Sequence, residues 1–142
     1  MDARSFLNEL FAAWNAHDKQ RLLDLYHPEF GGEDHAEGKR ADGLAGAERM
    51  IDYVLRAFPN LEMELLEWGT EGDRVFCFWV ARGNQNGRLM NIPPTGKHVQ
   101  FMGSTMMALR DGRIIRSRRI WDVAAMLRQI GLLPELTATQ YV

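Results

Sequence analysis

Apolar residues change their spacing once along this chain, and the change divides it into two halves. Phe6, Leu7, Leu10, Phe11 and Trp14 recur at helical intervals, which predicts an amphipathic helix over residues 3–15. Asp18 is a suitable N-cap for a short second helix carrying Leu22, Leu23, Leu25 and Tyr26. His27-Pro28 ends it, because a residue before proline is pushed out of helical backbone. Residues 31–43 are polar and contain glycine, so they read as a loop. A third helix follows over 45–58, with Met50, Ile51, Val54, Leu55 and Phe58 on one face and Pro59-Asn60 as its stop.

Beyond that point the period is that of strands. Residues 61–69, 74–83, 98–109 and 113–122 predict four of them. Glu71-Gly72-Asp73 and Asp111-Gly112 supply hairpin turns, and residues 83–97, punctuated by glycine and proline, span a strand end and a long turn. Residues 124–130 close with a short helix, ended by Gly131 and Pro134. Helices first and antiparallel strands afterwards indicate an α+β fold. The arrangement expected is a cone-shaped, curved antiparallel sheet with the N-terminal helices packed on its concave face, enclosing a pocket. The 142 residues suit a single domain, 1–142, with 136–142 as a loose tail.

Composition narrows the function. A formal net charge of −2 gives no electrostatic case for nucleic acid or an anionic membrane as partner. No apolar run approaches the ~20 residues of a membrane span. The N-terminus, with Asp2, Arg4, Asn8 and Glu9, does not read as a signal peptide, so a cytoplasmic location is expected. Cys77 lies in an apolar strand-like run and reads as a buried small hydrophobe. The four histidines lack metal-site spacing, so no metal is expected.

The chemistry-bearing residues gather near the C-terminus. On the last strand, Arg116, Arg118, Ile120 and Asp122 share one face, and Ser117, Arg119 and Trp121 share the other. Alternation alone does not say which face looks into the pocket. Asp122 is also well placed to cap the helix that follows. On the preceding strand, Met102, Ser104, Met106 and Ala108 oppose Phe101, Gly103, Thr105 and Met107, and again the lining set is open.

Three segments together carry a resemblance: Arg110-Asp111-Gly112-Arg113-Ile114, then Asp122 with Leu127-Arg128-Gln129-Ile130-Gly131, and upstream Asn91-Ile92-Pro93-Pro94-Thr95-Gly96-Lys97. They resemble the SnoaL-like polyketide cyclases, a branch of the nuclear-transport-factor-2-like fold. The resemblance spans about Phe6 to Pro134. It implies an intramolecular aldol ring closure of an anthraquinone-type methyl ester, without metal or cofactor, in which the aspartate matching Asp122 acts as general acid/base from within the cavity. On that implication the even-numbered face points inward. Arg118 beside Asp122 would favour the ionised carboxylate and stabilise a developing enolate.

Trp14, Phe58, Phe78 and Met102 are candidates for an adaptable apolar wall, and Ser104 for a polar contact within it. His27 resembles the family's His-Pro element at the mouth of the cone. Relatives often carry a histidine in the stretch matching 83–87, where this chain has Gln85. An amide cannot replace an imidazole in proton transfer, although Gln85 could donate hydrogen bonds to substrate oxygens. Relatives include cofactor-independent hydroxylases, and the fold also serves non-catalytic binding modules, so both remain alternatives. The partners expected are an aromatic polyketide and further copies of the chain, as a homodimer or homotetramer.

Overall fold

A computed structural model describes residues 2–137, 140 and 141. The elements follow the order α1 (Ala3–Asn15), α2 (Lys19–Leu23), β1 (Tyr26–Asp34), β2 (Lys39–Asp42), α3 (Gly43–Ala57), β3 (Glu62–Glu71), β4 (Arg74–Asn84), β5 (His98–Arg110), β6 (Arg113–Trp121) and α4 (Val123–Gln129). Asp2, Asp18 and Asp122 cap α1, α2 and α4, each accepting a backbone N–H from three residues onward. The six strands make one open sheet in the order β2-β1-β6-β5-β4-β3. Fold class is therefore α+β, with helices packed against the sheet.

Three expectations are corrected. The segment 31–43 is not a loop: it holds most of β1 and all of β2. Its strand character is hidden because β2 has only four residues, none of them buried. The sheet is mixed, not purely antiparallel, since β1 runs parallel to β6. The second helix stops at Leu23, so Tyr26 opens a strand. Pro28 is tolerated in that strand because the β1–β6 register is interrupted between Tyr26 and Gly31, leaving no ladder bond for the missing N–H to supply. Of the tail, residues 138, 139 and 142 lie outside the described residues, while Leu136 and Tyr141 are exposed and belong to no helix or strand.

One face of the sheet is covered by helices. Cys77, Trp79, Phe101, Met107, Ile114 and Trp121 on that face join Phe6, Leu7, Leu10, Trp14, Ala47, Ile51 and Phe58 in a single core. The opposite face leaves Phe76, Phe78, Met102 and Ile120 in solvent, with Ile120 60% and Met102 45% exposed. Cys77 is buried, and burial pushes its thiol up to about 11, so it is not a nucleophile at neutral pH.

Gly103 decides how the inner face packs. It pairs with Trp79 on one side and Trp121 on the other. A Cβ there would overlap the Trp79 ring and come within 2.9 Å of the Trp121 Cβ. Because Phe101 packs against both indoles, their rings cannot give way independently. Gly103→Ala is expected to cost about 1–3 kcal/mol by overpacking, read as a lower midpoint in thermal denaturation.

Candidate active site

The inner face of β6, the inner face of α3 and the β1–β2 hairpin enclose a cavity of about 340 Å³. Two smaller chambers of about 60 and 70 Å³ share lining residues with it. Arg119 lines all three. Aromatic and apolar groups wall the inner chambers: Trp14, Phe58, Trp79, Phe101, Trp121, Leu61 and Leu89.

At the base stands a buried carboxylate, Asp34, only 7% exposed. Its Oδ2 accepts from Arg119 Nε (3.0 Å), Arg119 Nη2 (2.8 Å) and Trp121 Nε1 (3.2 Å). Its Oδ1 accepts from the backbone N–H groups of Ala36 (2.9 Å) and Glu37 (3.0 Å). Burial alone would raise its pKa, but the guanidinium and these donors outweigh it, and the carboxyl is held below its usual value. A carboxylate so fully engaged is a poor proton acceptor. Its service is positional: it holds Arg119 and the following turn in one arrangement. Among the described residues, Arg119 Nη1 finds only the Met50 sulfur, at 3.8 Å, so this edge of the guanidinium holds no oxygen acceptor there.

The second carboxylate is Glu37, on the turn between β1 and β2, where Gly38 takes a positive φ of 68° that closes the hairpin. Only 3% of its side chain is exposed. Oε1 accepts from Tyr53 Oη (2.6 Å) and lies 3.2 Å from Lys39 Nζ. Oε2 takes no hydrogen bond among the described residues. Burial raises the Tyr53 phenol above its ordinary pKa, and its bond to Glu37 adds to that, so the hydroxyl stays protonated and donating. Tyr53 also accepts from the Met90 N–H at 2.7 Å, which ties α3 to the segment after β4. Glu37 lines the main cavity and one inner chamber together with Arg119 and Tyr53. A carboxylate and a fixed cation thus line the same cavity.

The sequence-predicted residues separate into two groups. Trp14 and Phe58 line the inner chambers. The even-numbered face of β6 points away from the cavity, which corrects the inward orientation expected for Asp122 and Arg118. Asp122 is exposed; its Oδ1 accepts from the Ala125 N–H at 2.9 Å, and it lines none of the described cavities. The Arg118 side chain is 66% exposed and, among the described residues, reaches only Glu33, at 3.8 Å. Phe78, Met102 and Ser104 stand on the outer face as well, since β4 and β5 alternate in step with β6. His27 lies in the irregular part of β1, where its Nδ1 accepts from the Glu29 N–H, and it does not reach the cavity.

Gln85 is fully buried, yet it faces the protein rather than a ligand. Its amide donates to the carbonyls of Gly87 (2.8 Å) and Pro93 (3.1 Å) and accepts from Thr95 N (2.9 Å) and Thr95 Oγ1 (2.6 Å). It holds the Pro93–Lys97 element in shape. Gln85→Ala is expected to cost roughly 1–3 kcal/mol through the donors and acceptors left unpaired, measured by urea denaturation.

The residues that sequence reasoning missed are Asp34, Glu37, Tyr53 and, as a cavity residue, Arg119. A usable signal was present for the first two. Asp34, followed three residues later by Glu37 and then Gly38, is the pattern of an aspartate that caps a glycine-closed turn.

A model of the SnoaL-like polyketide cyclases matches residues 3–130 of this chain. Nogalonic acid methyl ester cyclase of Streptomyces nogalater is 25% identical over 124 residues, covering 86% of this chain and 92% of the relative. Among solved structures, IdmH of Streptomyces antibioticus, a provisionally assigned polyketide cyclase, superposes with a TM-score of 0.77 at 27% identity, covering 92% of this chain and 99% of its own. AclR of Streptomyces galilaeus, a provisionally assigned hydroxylase, gives a TM-score of 0.81 at 22% identity over 94% and 83% of the two chains, a likeness of fold. With its whole folded body matched by the family model, this chain belongs to the SnoaL-like polyketide cyclases.

Proposed function

We propose that the protein closes a ring in an aromatic polyketide intermediate by intramolecular aldol addition, without a cofactor, and that Glu37 is its base. The observation that supports this most is the pairing of Glu37 and Arg119 across one cavity, with Glu37 Oε2 unengaged and one edge of the guanidinium free. In this reading Glu37 takes a proton from a carbon beside an ester or ketone carbonyl. Arg119 binds the oxygen on which the enolate charge collects. The enolate carbon then adds to a second carbonyl, and the resulting alkoxide recovers the proton from Glu37, so nothing is gained or lost overall. The substrate's conjugation spreads the transient charge. The aromatic walls hold the reacting carbons together, an advantage with a ceiling of ~7–11 kcal/mol. Asp34 is a positioning residue for Arg119. The same reading includes a homo-oligomer, which the exposed Phe76, Phe78, Met102 and Ile120 on the outer sheet face support.

The test is incubation with an anthraquinone-type methyl ester bearing an unclosed ketone side chain, followed by mass spectrometry. A chromatographically new product of unchanged mass is expected. A product heavier by one oxygen would indicate hydroxylation instead, and tight binding without turnover would indicate a binding module.

A further inference from the structure

The charges around the main cavity do not balance. Lys39, Arg40 and Arg119 are each matched there by an acid, Glu37, Glu33 and Asp34 in turn. Arg49 and Arg56 also line it, and neither forms an ion pair among the described residues. Among the described residues, Arg56 Nε reaches only the Asp52 carbonyl, at 3.3 Å. This local excess of positive charge sits on a chain whose formal net charge is −2. The two arginines belong to one face of α3, with Tyr53 between them, and lie about 10 Å apart along the helix axis. Tyr53 in turn holds Glu37. The cationic mouth therefore abuts the proposed base.

We propose that Arg49 and Arg56 select a substrate carrying a carboxylate on its ring system, so that the natural ligand is an aromatic acid rather than a fully esterified neutral molecule. The inference rests on the aldol reading of the same cavity. Chemistry fixes where the anion must be. The carbonyl beside the reacting carbon has to stay neutral, because an ionised carboxyl there would oppose a second negative charge in the enolate. The carboxylate thus belongs to the end of the substrate that remains at the mouth, away from Arg119. Both arginines are exposed, so their attraction is screened by salt and modest per pair, and it discriminates rather than supplying most of the affinity.

Isothermal titration calorimetry with anthraquinone-2-carboxylate and its methyl ester, neither of which can cyclise, tests the proposal. The acid should bind about tenfold more tightly than the ester at low salt, equivalent to ~1.4 kcal/mol, and the gap should close near 1 M salt. In the double variant Arg49→Gln, Arg56→Gln, acid and ester should bind alike. Removing two arginines that flank the β5–β6 hairpin turn, by Arg110→Gln with Arg113→Gln, should keep the preference. Equal binding of acid and ester by the wild type would overturn the proposal. So would a preference that survives in the Arg49, Arg56 double variant, which would assign it to Arg119. Should the ester be bound and the cyclisation substrate turned over without any acid preference, only the charge selection falls. Should neither probe bind, the aldol reading of the cavity falls with it.

Discussion

Glu37→Gln is expected to lower the rate of ring closure by about 10²–10⁴-fold, the usual worth of a positioned general base, with ligand binding retained. The amide keeps the volume and can still accept from Tyr53, so the hairpin turn should persist. What it loses is the ability to take a proton at Oε2. Single-turnover kinetics, with folding checked by circular dichroism, separates these effects. Asp122→Ala is the contrasting variant. It removes a helix cap from exposed surface, so stability should fall by ~1 kcal/mol while turnover stays at the wild-type rate. An active Glu37→Gln enzyme beside an inactive Asp122→Ala enzyme would return the base to Asp122 and sink the present assignment.

Asp34→Asn should be the most destabilising single change, by about 3–5 kcal/mol at neutral pH. Arg119 would keep its charge with only 23% of its side chain exposed, facing an amide in place of a carboxylate. The loss should depend on pH in a defined direction. The folded pKa of Asp34 is depressed, so its contribution is complete above the unfolded value of about 3.9. It fades as pH falls below that value through the folded pKa. Urea midpoints of wild type and variant should therefore lie far apart at pH 7 and converge below pH 4. A gap independent of pH would mean that Asp34 is not ionised in the folded protein. Turnover should fall too, since the turn that carries Glu37 hangs from the same carboxylate.

Much of this architecture could be read from the chain. Phe6 to Trp14 and Met50 to Phe58 announce helices because each must bury a stripe, and Asp111-Gly112 announces its hairpin because both residues take positive φ there, 53° and 73°. The strands β1 and β2 escaped because Gly31, Gly32 and Glu33 offer no apolar alternation, and β1 is defined by partners 85 residues away. The site was misread for a related reason. Alternation places Arg119 and Asp122 on opposite faces of β6, but only packing decides which face is inside. Trp121 and Gly103 held the answer: a glycine opposite two indoles marks the crowded, inward side. Asp122 satisfied the resemblance and also capped a helix, and the cap is what the geometry displays.

The parallel pairing of β1 with β6 bears on how the protein comes into being. Strands β3 to β6 are joined in sequence and can zip together locally, forming the aromatic floor early. The cavity's charges cannot assemble that way, because Asp34 and Arg119 are neighbours in space across 85 residues of chain. Closing so long a loop comes late and slowly. No fragment or half-folded chain would hold a working site, so ligand would stabilise only the finished molecule by mass action. A bound aromatic acid would therefore slow unfolding without speeding folding, and would not rescue chains trapped on the way.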